Sequence, residues 1–264
     1  MNGAVPLEVV EVVREYGGGR SLLRRRAAPH RAVDGVSLRL QQGATLGIVG
    51  ESGCGKSTLA RMVVGLLPPT DGRILVDNRP IEQYERLALH RKVQMVFQDP
   101  LGSLNPRKTV RQILEVPLRS LRGMDAAGRR ARVQELMHLV SLRPEFADRY
   151  PHEFSGGQCQ RIGIARALAA EPEVIVLDEP VSALDVSVQA QVLKLLQELQ
   201  ARLGVAYLFI SHDLAVVEAI AGTVAVMQAG RIVERGDAAQ IFCSPQHAYT
   251  RELIGAIPGL HAAR

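Results

Sequence analysis

Apolar and polar positions along this chain change period repeatedly, and each change marks an element. Across residues 33–40, Val36, Leu38 and Leu40 alternate with Ser37 and Arg39, the pattern of a half-buried antiparallel strand. Residues 7–13 mix apolar and charged positions as an edge strand does, and lead to Tyr16 and the turn Gly17-Gly18-Gly19. The continuous apolar run at 174–177 fits a central strand buried on both faces, and the short stretches at 45–49 and 206–210 read as further buried strands. Further strands are predicted at 73–77 and 93–97, and a closing hairpin at 222–228 and 231–235 turns at Ala229-Gly230.

Helical periods fall between the strands. Apolar residues at 188, 192, 195, 196, 199 and 203 make a stripe at helical spacing. Other helices are expected at 58–64, 82–90 and 109–121, and from residue 154 to about residue 170, where Pro172 stops the run. A further one, at 125–140, starts at the N-cap Asp125 and carries Val133, Leu136, Met137 and Val140 on one face. The alternation defines an α/β chain. Asp99-Pro100 and Asn105-Pro106 break it, so the stretch up to Tyr150 reads as a small helical lobe inserted into the core.

The candidate chemistry starts at residues 50–57. Gly50, Glu51, Ser52, Gly53, Cys54, Gly55, Lys56 and Ser57 match G-x-x-x-x-G-K-[ST], between a predicted strand and a helix that begins near Thr58. Glycines let such a loop curl so that successive N–H groups point at one anion, and the helix N-terminus adds its dipole. Lys56 is placed to reach the β- and γ-phosphates of a nucleoside triphosphate, and the Ser57 hydroxyl to ligate Mg²⁺. Cys54 is read as a small side chain tolerated beside the loop, the alternative being a thiol of depressed pKa.

Composition narrows the remaining classes. The 264 residues carry a net charge of +5, which favours anionic partners. The clearest basic run, from Arg20 to Arg31, contains no aromatic residue for base stacking, so nucleic acid is not an expected partner. That run reads as a solvated loop, with contact to a membrane surface as the alternative. No apolar run approaches the ~18 residues a membrane span needs. Glu8 and Glu11 interrupt the N-terminal apolar stretch, unlike a signal peptide. Cys54, Cys159 and Cys243 lack metal or disulfide spacing.

Taken in order, the loop at 50–57, Gln98, Phe154-Ser155-Gly156-Gly157-Gln158, the strand end Asp178-Glu179, the loop 182–185 and His212 resemble the ATP-binding subunit of an ABC transporter. The resemblance covers essentially the whole chain. It implies a P-loop NTPase (RecA-like) core with an antiparallel β subdomain and an inserted α-helical subdomain. The implied divisions are 1–97, the β subdomain with the P-loop part of the core; 98–154, the helical subdomain; 155–240, the remaining core; and 241–264, a tail. ATP and Mg²⁺ are the implied cofactors. Asp178, Ser57 and Gln98 would attend the metal, Glu179 would be the general base, and His212 would sense the γ-phosphate.

Several residues keep two readings. Tyr16 is either a packing residue at a strand end or the aromatic that stacks on adenine. Ser155, Gly156, Gly157 and Gln158 cap a helix, and by resemblance they close on the nucleotide of a second ATPase subunit, the same or paralogous, in a head-to-tail dimer. Asp185 caps its helix, lines that dimer contact, or does both. Cys159 stands where the family usually has a basic or polar residue, which bears on the contact at that helix start.

Residues 97–107 and 244–253, with Ile257-Pro258, look like the oligopeptide, dipeptide and nickel importer ATPases. That resemblance implies two transmembrane permease subunits, an extracytoplasmic solute-binding protein acting indirectly, and a peripheral place on the cytoplasmic face of the inner membrane. The groove near residues 99–107 is where a permease helix is expected to dock. The alternative is a non-transport ABC ATPase, a regulatory or assembly subunit such as one in phosphonate metabolism. The longer, cysteine-bearing tail of many relatives is not among these 264 residues, so no iron–sulfur site is expected.

Overall fold

A computed structural model describes residues 5–17 and 30–256. The predicted turn at Gly18-Gly19, the basic stretch up to residue 29 and Ile257-Pro258 lie outside the described residues.

The chain opens with β1 (Leu7–Tyr16), β2 (His30–Leu40) and β3 (Thr45–Val49), then α1 (Lys56–Val63), β4 (Asp71–Val76) and β5 (Arg79–Pro80). Next come α2 (Arg86–Lys92), β6 (Val93–Val96), α3 (Val110–Ser120), α4 (Ala126–Leu139), α5 (Gly156–Leu168), β7 (Val174–Asp178), α6 (Val186–Leu203) and β8 (Ala206–Ile210). The described chain closes with α7 (Leu214–Ile220), β9 (Thr223–Gln228), β10 (Arg231–Asp237), α8 (Ala238–Cys243) and α9 (Ala248–Gly255).

Two sheets form. The smaller is antiparallel, in the order β2-β1-β4-β5. The larger runs β10-β9-β3-β8-β7-β6, parallel from β9 to β6, with β10 antiparallel at one edge. The unbroken apolar strands have the physical reason expected of them. On β7, Val174 and Val176 join the core shared with the antiparallel sheet and α1, whereas Ile175 and Leu177 join the core under the helices. On β8, Leu208 and Ile210 face the first core and Tyr207 and Phe209 the second. With both faces covered, every position of such a strand is apolar.

In the helical lobe, Thr109 caps α3 through a capping box with Gln112, and Asp125 caps α4 by accepting from the Gly128 amide. Val133, Leu136, Met137 and Val140 are buried and share a core with α5. Arg166 of α5 also reaches back to the Ser103 carbonyl at 2.6 Å.

Two expectations are corrected. Residues 7–13 are not an edge: β1 lies between β2 and β4, paired on both sides. Its charged residues Glu8 and Glu11 stay out of the core that buries Leu7, Val9 and Val12, which is a facial property and says nothing of lateral pairing. The single helix expected at 82–90 is a 3-10 turn, Ile81–Gln83, followed by the later-starting α2. Helices α7, α8 and α9 were not anticipated; each is eight residues or fewer, too short for a clear period.

Candidate nucleotide site

The four parallel strands β3, β6, β7 and β8 end at one edge of the sheet. Their register sets Ile48 beside Ile210, Asp178 beside Ile210, and Val96 beside Leu177. The residues just beyond these ends therefore converge: the loop at 50–57 after β3, Gln98 after β6, Glu179 after β7 and His212 after β8. Open α/β sheets place ligands at this carboxyl edge. A cavity of about 410 Å³ lies there, lined by Ser52, Gly53, Gly55, Lys56, Ser57, Thr58, Gln98, Glu179 and His212, with Ala32 of β2 across from them. A larger hollow of about 570 Å³, beside Thr45, Leu46 and Thr223, sits at the opposite, amino ends of the strands and holds none of these residues.

The loop owes its shape to two glycines. Gly50 has φ of 151°, and a Cβ there would come 2.1 Å from the Met227 carbonyl oxygen. Gly55, at the start of α1, has φ of 112°, and a Cβ there would meet the Ala32 carbonyl oxygen at the same distance. No other residue fits either place. Lys56 is buried, and its ammonium donates to the carbonyls of Gly50 at 2.7 Å and Glu51 at 2.8 Å. Cys54 Sγ lies 3.7 Å from the same nitrogen. The turn between β9 and β10 supports the loop from below, Gly230 donating to the Cys54 carbonyl at 3.0 Å.

Ser57 donates to Asp178 Oδ1 at 3.1 Å. Asp178 is buried, and burial pushes its pKa above the ordinary carboxylate range, opposed by the Ser57 hydroxyl. Next to it, Glu179 takes φ of 49°, the left-handed region that non-glycine residues seldom adopt. Its amide is held there by the Ile210 carbonyl at 2.8 Å. The twist sends the carboxylate into the cavity, where Oε2 accepts from Gln98 Nε2 at 3.0 Å and lies 3.1 Å from His212 Nδ1.

Other predicted residues stand apart. Ser155 caps α5: its Oγ accepts from the Gln158 amide at 3.4 Å, and its own amide donates to Gln158 Oε1 at 2.9 Å. Gly156 lies beside Leu184 and Gly157 beside Val188, so this helix start abuts the loop before α6. Asp185 caps α6, accepting from the Val188 amide at 3.0 Å, and the Ser187 hydroxyl holds its pKa below the usual range. Tyr16 is exposed at the end of β1 with the Arg14 guanidinium 5.0 Å from its ring centre. None of these lines the 410 Å³ cavity. Cys159 points inward, its thiol 3.4 Å from the Pro151 carbonyl oxygen, and burial raises its pKa.

Sequence reasoning missed Ala32, the left-handed turn at Glu179 and the contact between the Glu51 amide and Tyr249 in α9. Tyr249 lies in the tail stretch that resembles peptide importers, but its partner is distant in sequence.

The sequence profile of the ABC transporter family matches residues 33–182. The oligopeptide transport ATP-binding protein AppF of Bacillus subtilis is 49% identical over 256 residues, covering 96% of this chain and 78% of AppF. The dipeptide transport ATP-binding protein DppF of Haemophilus influenzae is 54% identical over 233 residues, covering 87% of this chain and 71% of DppF. OppD of Mycobacterium tuberculosis, an oligopeptide transport ATP-binding protein, is 50% identical over 267 residues, and the chain spans only 44% of its length. Among solved structures, a dimeric ATP-binding cassette in a post-hydrolysis state with ADP and Pi is 29% identical, with a TM-score of 0.76, covering 88% of this chain and 98% of that one. The chain belongs to the ABC transporter family, as one of its ATP-binding cassettes.

Proposed function

We propose that this chain is the ATP-hydrolysing subunit of an importer for oligopeptides, dipeptides or a related small solute such as nickel. The observation that carries the proposal is the convergence of Lys56, Ser57, Gln98, Glu179 and His212 on one cavity at the carboxyl edge of a parallel sheet. The solute class follows the peptide-transport relatives AppF and DppF.

In this reading the loop amides, the N-terminus of α1 and Lys56 hold the β- and γ-phosphates of ATP. Ser57 and Asp178 offer oxygens to Mg²⁺, with Gln98 beside them, and this donor set fits a hard cation. A hydroxyl and one carboxylate leave the remaining positions of such a cation to water and phosphate, as Mg²⁺ commonly takes them. When bound, Mg²⁺ supplies charge neutralisation at the phosphate oxygens. Glu179 accepts a proton from a water molecule as the water oxygen bonds to the γ-phosphorus and the bond to the bridging oxygen breaks, leaving ADP and phosphate. Gln98 and His212 hold the Glu179 carboxylate in place, and His212 also faces the γ-phosphate.

The helix start at Ser155, Gly156, Gly157 and Gln158 is a second anion site, remote from the chain's own loop. A head-to-tail dimer with the same or a paralogous ATPase would set it on the partner's ATP, with Asp185 at the contact. Tyr16 would stack on adenine from β1. Residues 1–97, 98–154, 155–240 and 241–264 would act as β subdomain with P-loop, helical lobe, remaining core and tail. The groove near residues 99–107, where Leu101 is exposed and Arg166 reaches the Ser103 carbonyl, would receive a helix of a permease subunit, and two permease subunits would serve the dimer. No helix among the described residues is long and apolar enough to cross a membrane, so attachment to the cytoplasmic face would run through those permeases, fed by an extracytoplasmic binding protein.

The test is to tag the Glu179→Gln chain, purify it gently from membranes with ATP and Mg²⁺, and identify its companions. Two polytopic membrane proteins, with or without a second ATPase, support the importer. Recovery of ribosomes, DNA or soluble enzymes alone rejects it in favour of a non-transport ATPase.

A further inference from the structure

Glu51 is held at both ends. Its carbonyl accepts from Lys56 Nζ at 2.8 Å, and its amide donates to the phenolic oxygen of Tyr249 at 3.1 Å. Tyr249 belongs to α9, which packs into the same core as α8 through Ile254, Ile241 and Phe242. The start of α9 is tied down separately. Glu234 of β10 accepts from the amides of Gln246 at 2.7 Å and His247 at 3.0 Å, and His247 Nδ1 accepts from the Tyr249 amide at 3.2 Å. A continuous path therefore runs from β10 through the tail to the second residue of the phosphate loop.

A glycine-rich loop binds phosphate well only if its amides and its lysine are already oriented, because ordering them on binding subtracts from affinity. The Glu51 amide and the Gly50 carbonyl form one peptide group, and that carbonyl accepts from Lys56 Nζ at 2.7 Å, so the tyrosine hydroxyl restrains from outside the loop a peptide that holds Lys56. A buried tyrosine serving only the core has many carbonyls to donate to; this one accepts an amide of the loop itself.

We propose that Tyr249 is a positioning residue for nucleotide binding, its hydroxyl fixing the Glu51 peptide and so the loop and Lys56, and that the tail at 244–253 thereby sets affinity for ATP. The inference rests on the reading of residues 50–57 as the ATP site.

The test is the full chain carrying Tyr249→Phe, which keeps the ring and removes the oxygen. ATP binding is followed by titration calorimetry, hydrolysis by steady-state kinetics, and the nucleotide-free protein by thermal melting. One lost hydrogen bond of ordinary strength predicts Kd and KM for ATP raised by about three- to tenfold, with kcat within about twofold of wild type. The nucleotide-free melting temperature is expected to move little. Glu234→Gln, which loosens the tail without touching the ring, is expected to shift Kd the same way and less.

Unchanged Kd and KM in Tyr249→Phe overturn the proposal, as does a fall in melting temperature or kcat with affinity intact. An unmoved Kd in Glu234→Gln overturns the part assigned to the tail. Wild type and Lys56→Ala separate this from the site reading: if wild type binds ATP and Lys56→Ala does not, the site stands and Tyr249→Phe alone decides. A wild-type chain that binds no ATP overturns both.

Discussion

His212 Nδ1 lies 3.1 Å from Glu179 Oε2, the same oxygen that Gln98 Nε2 reaches at 3.0 Å. Three strands thus meet on one carboxylate oxygen. Glu179→Gln keeps the shape of that side chain and removes its ability to take a proton from water. Hydrolysis is expected to fall by about 10²–10⁴ in kcat, the usual worth of a general base. ATP binding should persist, because the phosphate loop is untouched. Single-turnover hydrolysis measured beside ATP titration checks both halves.

In the proposed mechanism His212 acts partly through Glu179, so its removal should have a different signature. In His212→Ala the carboxylate loses one of two restraints, and misplacement of this kind costs up to about 10²-fold. The expected result is a kcat lowered by tenfold or more, with KM for ATP much less affected. A rise in KM at constant kcat would instead place His212 in ground-state binding of the nucleotide.

Asp178 gives a pH dependence of definite sign. Burial raises its pKa above the ordinary value of 3.8 in the folded chain. The folded state then holds a proton that the unfolded state has lost, so this group's relative stabilisation is present below 3.8 and disappears as pH rises through the raised value. At neutral pH the nucleotide-free wild type carries a buried carboxylate that Asp178→Asn does not. The variant is expected to melt higher than wild type at pH 7, with the gap closing as pH falls towards 4. Adding Mg²⁺ and ATP should stabilise wild type more than the variant.

Much of this was legible in the chain because faces and caps are local. The apolar runs at 174–177 and 206–210 announce strands covered on both sides, and Asp125, Ser155 and Asp185 each sit where a helix begins and accept its amides. Lateral pairing is not written that way, so β1, with Glu8 and Arg14 among its apolar residues, read as an edge although it has neighbours on both sides. Helix α7 shows too few turns for a period, although Asp213 caps it from the Ala215 and Val216 amides and was a signal available to be used. The left-handed backbone of Glu179 and the bond from Glu51 to Tyr249, 198 residues apart, are tertiary outcomes with no local mark.

Gly157 has a packing duty besides any contact with nucleotide. A Cβ there would stand 2.3 Å from Val188 Cγ1, at the crossing of α5 with the start of α6. Alanine is the better helix former by about 1 kcal/mol, but overpacking of this kind costs about 1–3 kcal/mol. Gly157→Ala is therefore expected to be less stable in urea. In a Val188→Ala background the same change should be neutral or stabilising. Equal effects in both backgrounds would show that the valine is not the cause.

The separation of Ser155 from the chain's own cavity makes a sharper test than either variant of that site alone. If each ATP lies between Lys56 of one subunit and Ser155 of the other, Lys56→Ala and Ser155→Arg each break both sites of a homodimer. A mixed dimer of the two variants regains one complete site, because the Ser155→Arg subunit supplies Lys56 and the Lys56→Ala subunit supplies Ser155. Each variant alone should be nearly inactive, and mixing them should restore ATPase activity that rises with the fraction of mixed dimer. A chain that hydrolyses ATP with its own residues only would show no recovery at any ratio. A partner that must be a paralogous ATPase would show none either, until that paralogue carries one of the two changes, so running the pair both ways separates a homodimer from a heterodimer.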